Sequence, residues 1–483
     1  MAGSVKAWKF GTPGEPEFPT DFQVTKKAVL QVTDIKTNRN KYYCIELHTG
    51  GPGQFRVFTH YGRTDDLDTN PNAGQKESRY LPSLAAAEAE YASIYREKTS
   101  PRKGYKELSL ASARIGSQQT RGQSVGQVDA KTLEKLNQKD EPNGKKKAKK
   151  KAGPPPCTLA PEIQELVSYV YGAATSALTS TVNAKITGKG IETPLGVLTI
   201  GQVESGEKIL QQAFQVFQAG GKKAESELER LSGEFYTVIP HRIGRTRDAI
   251  QAAVINSLAA FEQKQETLQL MKDMLQVNGE QNVLVDPGLQ GKYEALKCDL
   301  QYVAPGGGEF EEIANHVVES QVKFKRIKVQ NVYRARREAE WNGFREEVGN
   351  VRRLFHGSRI GNWVGILSRG LLLPKIVVSM GVNRTDAGWL GSGIYFGDAA
   401  CTTVYYTTPG SKGTRFMAVF DVALGKPMQY TKITYGLTAP PTGYDSCHGV
   451  ANRDHKGSQF EDNELVIYDG RQQRQCYLVE FKA

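Results

Sequence analysis

Cysteine is scarce. Six occur in 483 residues, at 44, 157, 298, 401, 447 and 476, and none has another closer than 29 positions away. That spacing excludes local CxxC metal pairs and supplies no disulfide framework, so free reduced thiols and no metal site are expected. Long apolar runs are missing too. No stretch reaches the ~20 apolar residues that a membrane-spanning helix needs. The opening MAGSVKAWKFGTPGEPEF carries no apolar core, so it is not expected to be a secretory signal. Tandem repeats and zinc modules are likewise not seen. These absences point to an intracellular chain with no membrane partner; oligomeric state stays open.

Positive charge is present, and unevenly distributed. Residues 1–156 hold 27 Lys+Arg against 17 Asp+Glu, and the rest hold 36 against 35, so nearly all of the net +11 lies in the first third. A basic region attached to a nearly neutral body is the footprint of a polyanion-binding segment. Its densest part, Lys145–Lys151 (KKKAKKK), repels itself and precedes a helix-stopping GPPP.

Period and composition divide the chain into a tail (1–20), a small α+β module (21–111), a basic linker (112–156), an all-α bundle (157–285) and a final α+β domain (286–483). In the module, AVLQVTDI, KYYCIEL and FRVFTHYG read as strands separated by turn-like TNRN and HTGGPGQ. A helix follows over 83–100, with Ser83 as N-cap. The middle turns helical: Ile163, Leu166, Val167, Val170 and Tyr171 share one stripe, and further helices are expected over 199–218, 226–239 and 249–277. Strands return after Tyr293, over 293–303, 322–335 and 352–357, then around GIYFGD, 415–425, ELVIYD and 475–482.

Three short pieces of the last domain carry the chemistry: HGS at His356–Ser358, SGIYFGD at Ser392–Asp398 and NELVIYD at Asn463–Asp469. Their order and spacing resemble the His–Tyr–Glu signature of the diphtheria-toxin-like ADP-ribosyltransferases, and specifically of the poly(ADP-ribose) polymerases. The helical segments ETPLGVLTIGQV and GEFYTVIPH resemble the family's regulatory domain. The front module, with Tyr61-Gly62-Arg63 where the family has Trp-Gly-Arg, resembles its WGR domain.

The resemblance implies roles. NAD+ is the substrate and no metal is needed. Glu464 bonds the nicotinamide ribose and activates the attacking hydroxyl, as a carboxylate can do beside an oxocarbenium-like state. His356 holds the adenine-side ribose, and Gly357 and Ser358 clamp the nicotinamide amide. Tyr395 and Tyr406, 11 apart, sandwich the ring by stacking, with Tyr405 the alternative partner. Asn362 touches the adenosine part. Thr403 keeps the hydroxyl of the family's serine, Thr402 replaces a frequent lysine, Leu372 replaces a frequent arginine, and 373–390 is the donor-site lid. In the front module Tyr61 and Arg63 contact DNA. Apart from the resemblance, the lysine run that includes Lys145, Lys146 and Lys147 reads as a phosphate contact, a nuclear import signal or a plain solvated linker.

By this resemblance the chain is a DNA-break-activated poly(ADP-ribose) polymerase, with DNA ends and protein acceptors including itself as partners. It would reside with DNA, in the nucleus of a eukaryote or the cytoplasm of a bacterium. Two alternatives stand beside it: a mono-ADP-ribosyltransferase of the same fold, and a DNA-end-binding scaffold with a vestigial transferase.

Overall fold

A computed structural model describes residues 5–121, 157–187, 190–241, 243, 246–277, 288–324, 326–373 and 388–483. The chain divides into two compact units. One holds the front module and the helical region from residue 179 to 275. The other holds the helical residues up to 178 and the chain from 288 onward.

The first unit is built on a six-stranded antiparallel sheet. Its long strands, Gln23–Asp34, Arg39–Gly51 and Gln54–Arg63, alternate β-branched and aromatic residues and bury Leu30, Ile45, Leu47 and Val57 under the helix Leu84–Thr99. Ser83 caps that helix by accepting a hydrogen bond from the Ala86 amide at 3.2 Å, as its position predicts. The tail is less irregular than its composition suggests: Trp8–Lys9 pairs with Ser78 and Glu77 at the sheet edge. The Arg56 guanidinium stands over the rings of Phe18 and Phe22, at 4.2 and 4.9 Å.

Residues 112–121 are a correction. Read as linker for their polar composition, they are packed. Leu110–Ala113 pairs antiparallel with Gly196–Leu198 of the helical region. Ile115, Ser117 and Thr120 are buried over Glu46. That carboxylate accepts from the Ser117 amide (3.1 Å) and the Thr120 hydroxyl (2.7 Å), pairs with Lys27 (2.9 Å) and bonds His48 (2.8 Å). Burial would raise its pKa, but His48 and Lys27 hold it well below the usual carboxylate range. Glu46 and the strand Gly196–Leu198, which hold this segment, lie more than 70 positions away, so no local pattern reveals it.

The helix Ala224–Val238 packs on the strand Gln23–Asp34 of this sheet, and Ile200–Ala219 packs on that helix. Ile200–Ala219 is capped by Thr199, whose hydroxyl accepts from the Gln202 amide. Gly233 lets Ala224–Val238 approach closely: a Cβ there would stand 2.8 Å from the Thr33 carbonyl. Four residues on, the Thr237 hydroxyl accepts from the Thr33 amide at 2.7 Å. Gln202 accepts from the Ser109 amide and donates to the Val238 carbonyl, joining strand end to helix end.

The second unit has two sheets. A five-stranded antiparallel sheet runs in the order Asp299–Val303, Lys328–Arg336, Gln473–Lys482, Arg415–Ala423, Val351–Gly357. A four-stranded sheet runs Ile394–Phe396, Glu464–Ile467, Ser446–Gly449, Pro427–Tyr430. Phe355 and Gly397 exchange backbone hydrogen bonds at 2.9 and 3.0 Å and so tie the sheets together. Phe355, Met417, Val419, Val479 and Phe481 form the core with Ile313 and Val317 of the helix Gly308–Glu319. Two strand expectations are corrected. Residues 293–303 begin as the helix Gly288–Leu296, which turns through Lys297 (φ 49°) into a strand only at Asp299. The strand expected over 322–335 starts only at Lys328.

Candidate active site

Each motif residue stands on its own strand. His356 lies at the end of Val351–Gly357, Tyr395 in Ile394–Phe396 and Glu464 at the start of Glu464–Ile467. The Phe355–Gly397 bridge sets His356 beside Tyr395, and the pairing of Phe396 with Leu465 leaves Gly397 and Glu464 as the next residues on their two strands. Spacings of 39 and 69 residues in sequence thus become neighbours in space.

Together they wall a cavity of about 190 Å³, lined also by Gly357, Gly388, Trp389, Thr402, Thr403 and Tyr406. The His356 ring is fixed by Nδ1, 2.9 Å from the Tyr395 carbonyl. A carbonyl only accepts, so Nδ1 carries the proton and Nε2 is the free acceptor. Burial lowers this histidine's pKa and keeps it neutral; the Tyr395 carbonyl opposes that shift. The Tyr395 hydroxyl donates to the Gly391 carbonyl (2.8 Å) and accepts from the Leu390 amide (2.9 Å), so its ring is the part offered to the cavity. Tyr406 is 56% exposed and lines the same cavity; Tyr405, 68% exposed, is turned to Phe324 and is not in the wall. Gly357 could hardly be another residue: a Cβ would meet the Thr403 carbonyl at 2.4 Å.

Glu464 is the electrostatic centre. Burial, then the nearby Asp462 and Asp398 charges, push its carboxyl up to about 8. Those aspartates are themselves anchored. Asp462 pairs with Lys323 (3.0 Å) and Arg453 (3.3 Å), and Asp398 with Arg453 (3.3 Å). Asn463 is buried between them. Its Nδ2 donates to Asp398 (2.8 Å) and Asp454 (2.9 Å), and its Oδ1 accepts from the Ala451 amide and faces His448 Nε2. Sequence reasoning assigned nothing to Asn463 or Asp398, though both lie inside the quoted motifs.

Not every expected residue reaches the cavity. Ser358 and Asn362 bond each other at 3.1 Å and are outside its wall. Thr403 is in the wall, but its hydroxyl donates to the Ala400 carbonyl at 2.7 Å. Residues 374–387, most of the expected lid, lie outside the described residues, as do Lys145, Lys146 and Lys147. Among the described residues no group of three or more His, Cys, Asp or Glu could hold a metal ion, and no helix is long and apolar enough to cross a membrane.

In the front module, Tyr61 stacks parallel on Tyr43, centroids 5.0 Å apart at 8°. Its hydroxyl meets Glu77 at 2.7 Å. Arg63 pairs with Asp65 at 3.1 Å and is one-third exposed. Both border an open concavity of about 530 Å³ with Lys41, Arg79, Lys98 and Tyr105. Tyr43 was not foreseen; strand register sets it directly opposite Tyr61.

Two linked sheets closing on one acid, with tyrosines beside it, have the build of an ADP-ribosyltransferase catalytic domain. Comparison with known proteins agrees. Residues 308–483 match the poly(ADP-ribose) polymerase catalytic domain, residues 157–280 the poly(ADP-ribose) polymerase regulatory domain and residues 26–111 the WGR domain. These matches span most of the chain, and the protein belongs to the poly(ADP-ribose) polymerase family. It is 34% identical over 325 residues to human protein mono-ADP-ribosyltransferase PARP4, covering 67% of this chain and 18% of that protein. To human protein mono-ADP-ribosyltransferase PARP3 it is 26% identical over 469 residues, covering 92% and 80%. To poly [ADP-ribose] polymerase 2 of Arabidopsis thaliana it is 29% identical over 302 residues, covering 59% and 45%. The chain thus spans less than a fifth of the length of the PARP4 relatives it matches.

Proposed function

We propose that the protein is an NAD+-dependent ADP-ribosyltransferase that DNA breaks activate and that builds ADP-ribose chains on proteins, itself included, at DNA in the nucleus. The observation that carries this reading is Glu464: a carboxyl near neutrality in a ring-sized cavity, with His356, Tyr395 and Tyr406 around it. The fit to NAD+ rests on that wall. Tyr395 and Tyr406 offer ring faces to nicotinamide. Gly357 leaves backbone groups open to its amide, and the neutral His356 Nε2 accepts from a ribose hydroxyl.

In the reaction the C1′–N bond breaks and nicotinamide leaves with the bonding pair. Positive charge passes to the ribose, where the Glu464 carboxylate stabilises it. The acceptor oxygen bonds C1′, and its proton goes to Glu464. When the acceptor is a hydroxyl of an attached ADP-ribose, the chain grows. Ser358 and Asn362, bonded to each other outside the cavity wall, are assigned to the far side of the nucleotide.

For DNA, the stacked pair Tyr43–Tyr61 offers a face to a base or sugar, and Lys41, Arg63 and Lys98 offer charge to phosphates. The contacts of Thr33, Ser109 and the strand 110–113 with the helical region give DNA binding a route to regulation. Mono-transfer is the second reading, favoured by the names that the PARP3 and PARP4 relatives carry.

The test is incubation with labelled NAD+, with and without broken DNA, followed by electrophoresis. A DNA-dependent ladder is expected. One sharp band supports mono-transfer, and a DNA mobility shift with no label on any protein defeats the enzyme reading.

A further inference from the structure

Thr402 lines the same cavity as Glu464 and Tyr406, yet it is only 6% exposed. Its hydroxyl is enclosed and has no hydrogen-bond partner among the described residues. That sets it apart from its neighbours. The hydroxyls of Thr403 and Thr407 each donate to a backbone carbonyl, of Ala400 (2.7 Å) and Val404 (2.8 Å). The Tyr395 hydroxyl is also spent, on Gly391. A buried hydroxyl left unpaired is unfavourable, and such groups in folded proteins generally have a reason to be kept.

Its position supplies one. Thr402 Cβ lies 3.7 Å from where a Cβ on Gly397 would stand. Gly397 and Glu464 are the residues that follow the Phe396–Leu465 pair on their two strands. Thr402 therefore sits at the Glu464 end of the cavity, whereas Thr403 backs Gly357 at the other. We propose that the Thr402 hydroxyl, held by no protein partner, turns about χ1 into the cavity that its side chain lines when NAD+ binds and hydrogen-bonds a ribose hydroxyl beside Glu464, and so is a further substrate-binding residue. The inference rests on the reading of this cavity as the NAD+ site.

Two substitutions test it in the full chain. Thr402→Val keeps shape and removes the hydroxyl; Thr402→Ser keeps the hydroxyl and removes the methyl. NAD+ affinity is read by calorimetric titration, and melting temperature is read without and with NAD+. Without ligand, Thr402→Val should melt no lower than wild type, because an unpaired buried polar group is gone. Its NAD+ affinity should fall about tenfold, the loss of one hydrogen bond to the substrate, while Thr402→Ser stays within about threefold of wild type. In steady-state NAD+ cleavage the loss should fall on KM, with kcat changed less than about threefold, since the contact is made in the ground state. A merely structural hydroxyl would move stability and affinity together. Equal NAD+ affinity of Thr402→Val and wild type would overturn the inference while leaving the NAD+ site intact. Wild-type protein that binds no NAD+ would overturn the assignment of the cavity, and this inference with it.

Discussion

Replacing Glu464 by glutamine should make the protein more resistant to heat, by a margin that grows as pH rises above about 4.5. The carboxyl is pushed up from an ordinary 4.5 to about 8 by burial and by Asp462 and Asp398. Below pH 4.5 it is protonated in both folded and unfolded chains, and the neutral amide should change little. Between the two values the unfolded chain ionises freely and the folded chain does not, so wild type loses stability as pH rises; the loss is complete above about 8. One pKa unit corresponds to about 1.4 kcal/mol, which bounds the loss at about 5 kcal/mol. The carboxyl lines an open cavity, and Lys323 and Arg453 stand behind its acidic neighbours. Screening by both reduces the expected gain for Glu464→Gln to about 2 kcal/mol at pH 9. For a unit of this size that is roughly 4–8 °C in Tm. Calorimetric scans of both proteins at pH 5, 7 and 9 would measure it. A difference that stays constant across this range, or that shrinks toward pH 9, would refute the reasoning.

Other expectations concern close approaches and stacking. Gly357→Ala should abolish detectable NAD+ binding by titration, because its Cβ would press to 2.4 Å on a backbone carbonyl that has no rotamer to escape into. Gly233→Ala should force the helix away from Thr33, leaving DNA affinity in a gel-shift assay near wild type while stimulation by DNA drops at least severalfold. Tyr61→Ala should weaken binding to a DNA end by about 1–3 kcal/mol, the worth of one stacked base. Arg63→Ala should instead flatten the dependence of log K on log salt by about 0.9, as loss of one phosphate contact does.

What could be read from the residues follows from the range of the interactions involved. The stripe from Ile163 to Tyr171 and the cap at Ser83 are local, and the structure has them where periodicity puts them. His356, Tyr395 and Glu464 were singled out by the resemblance of their three motifs to a family signature, and the paired strands bring them to one cavity. Lys297 shows the limit at short range. The mixed stretch 293–303 reads as one strand, but a left-handed residue divides it into helix and strand. Residues 112–121 show the limit at long range, since Ser117 and Thr120 find their acceptor in Glu46. Asp398 was invisible for the same reason: its effect on Glu464 exists only once two strands are paired.

An acid held near neutrality suits a reaction that moves one positive charge through the site. Free of substrate at pH 7, Glu464 keeps its proton. On the proposed reading of this cavity as the NAD+ site, bound NAD+ brings a cationic nicotinamide ring into it, and an opposite charge within a few ångströms favours the carboxylate, so binding should expel that proton. In the proposed reaction, when the C1′–N bond breaks the charge passes to the ribose, which on that reading still faces the same carboxylate. The acceptor's proton then restores the neutral acid in surroundings that favour it, which opposes reversal. NAD+ binding at pH 7 should therefore release close to one proton, and fewer as pH rises past 8. Titration calorimetry in two buffers of different ionisation enthalpy reads the number directly. Glu464→Gln should bind NAD+ with no proton release at all. Identical heats in both buffers for wild type at pH 7 would mean that Glu464 is already ionised before the substrate arrives, and the acidic neighbours would then have to act on catalysis by some means other than its charge.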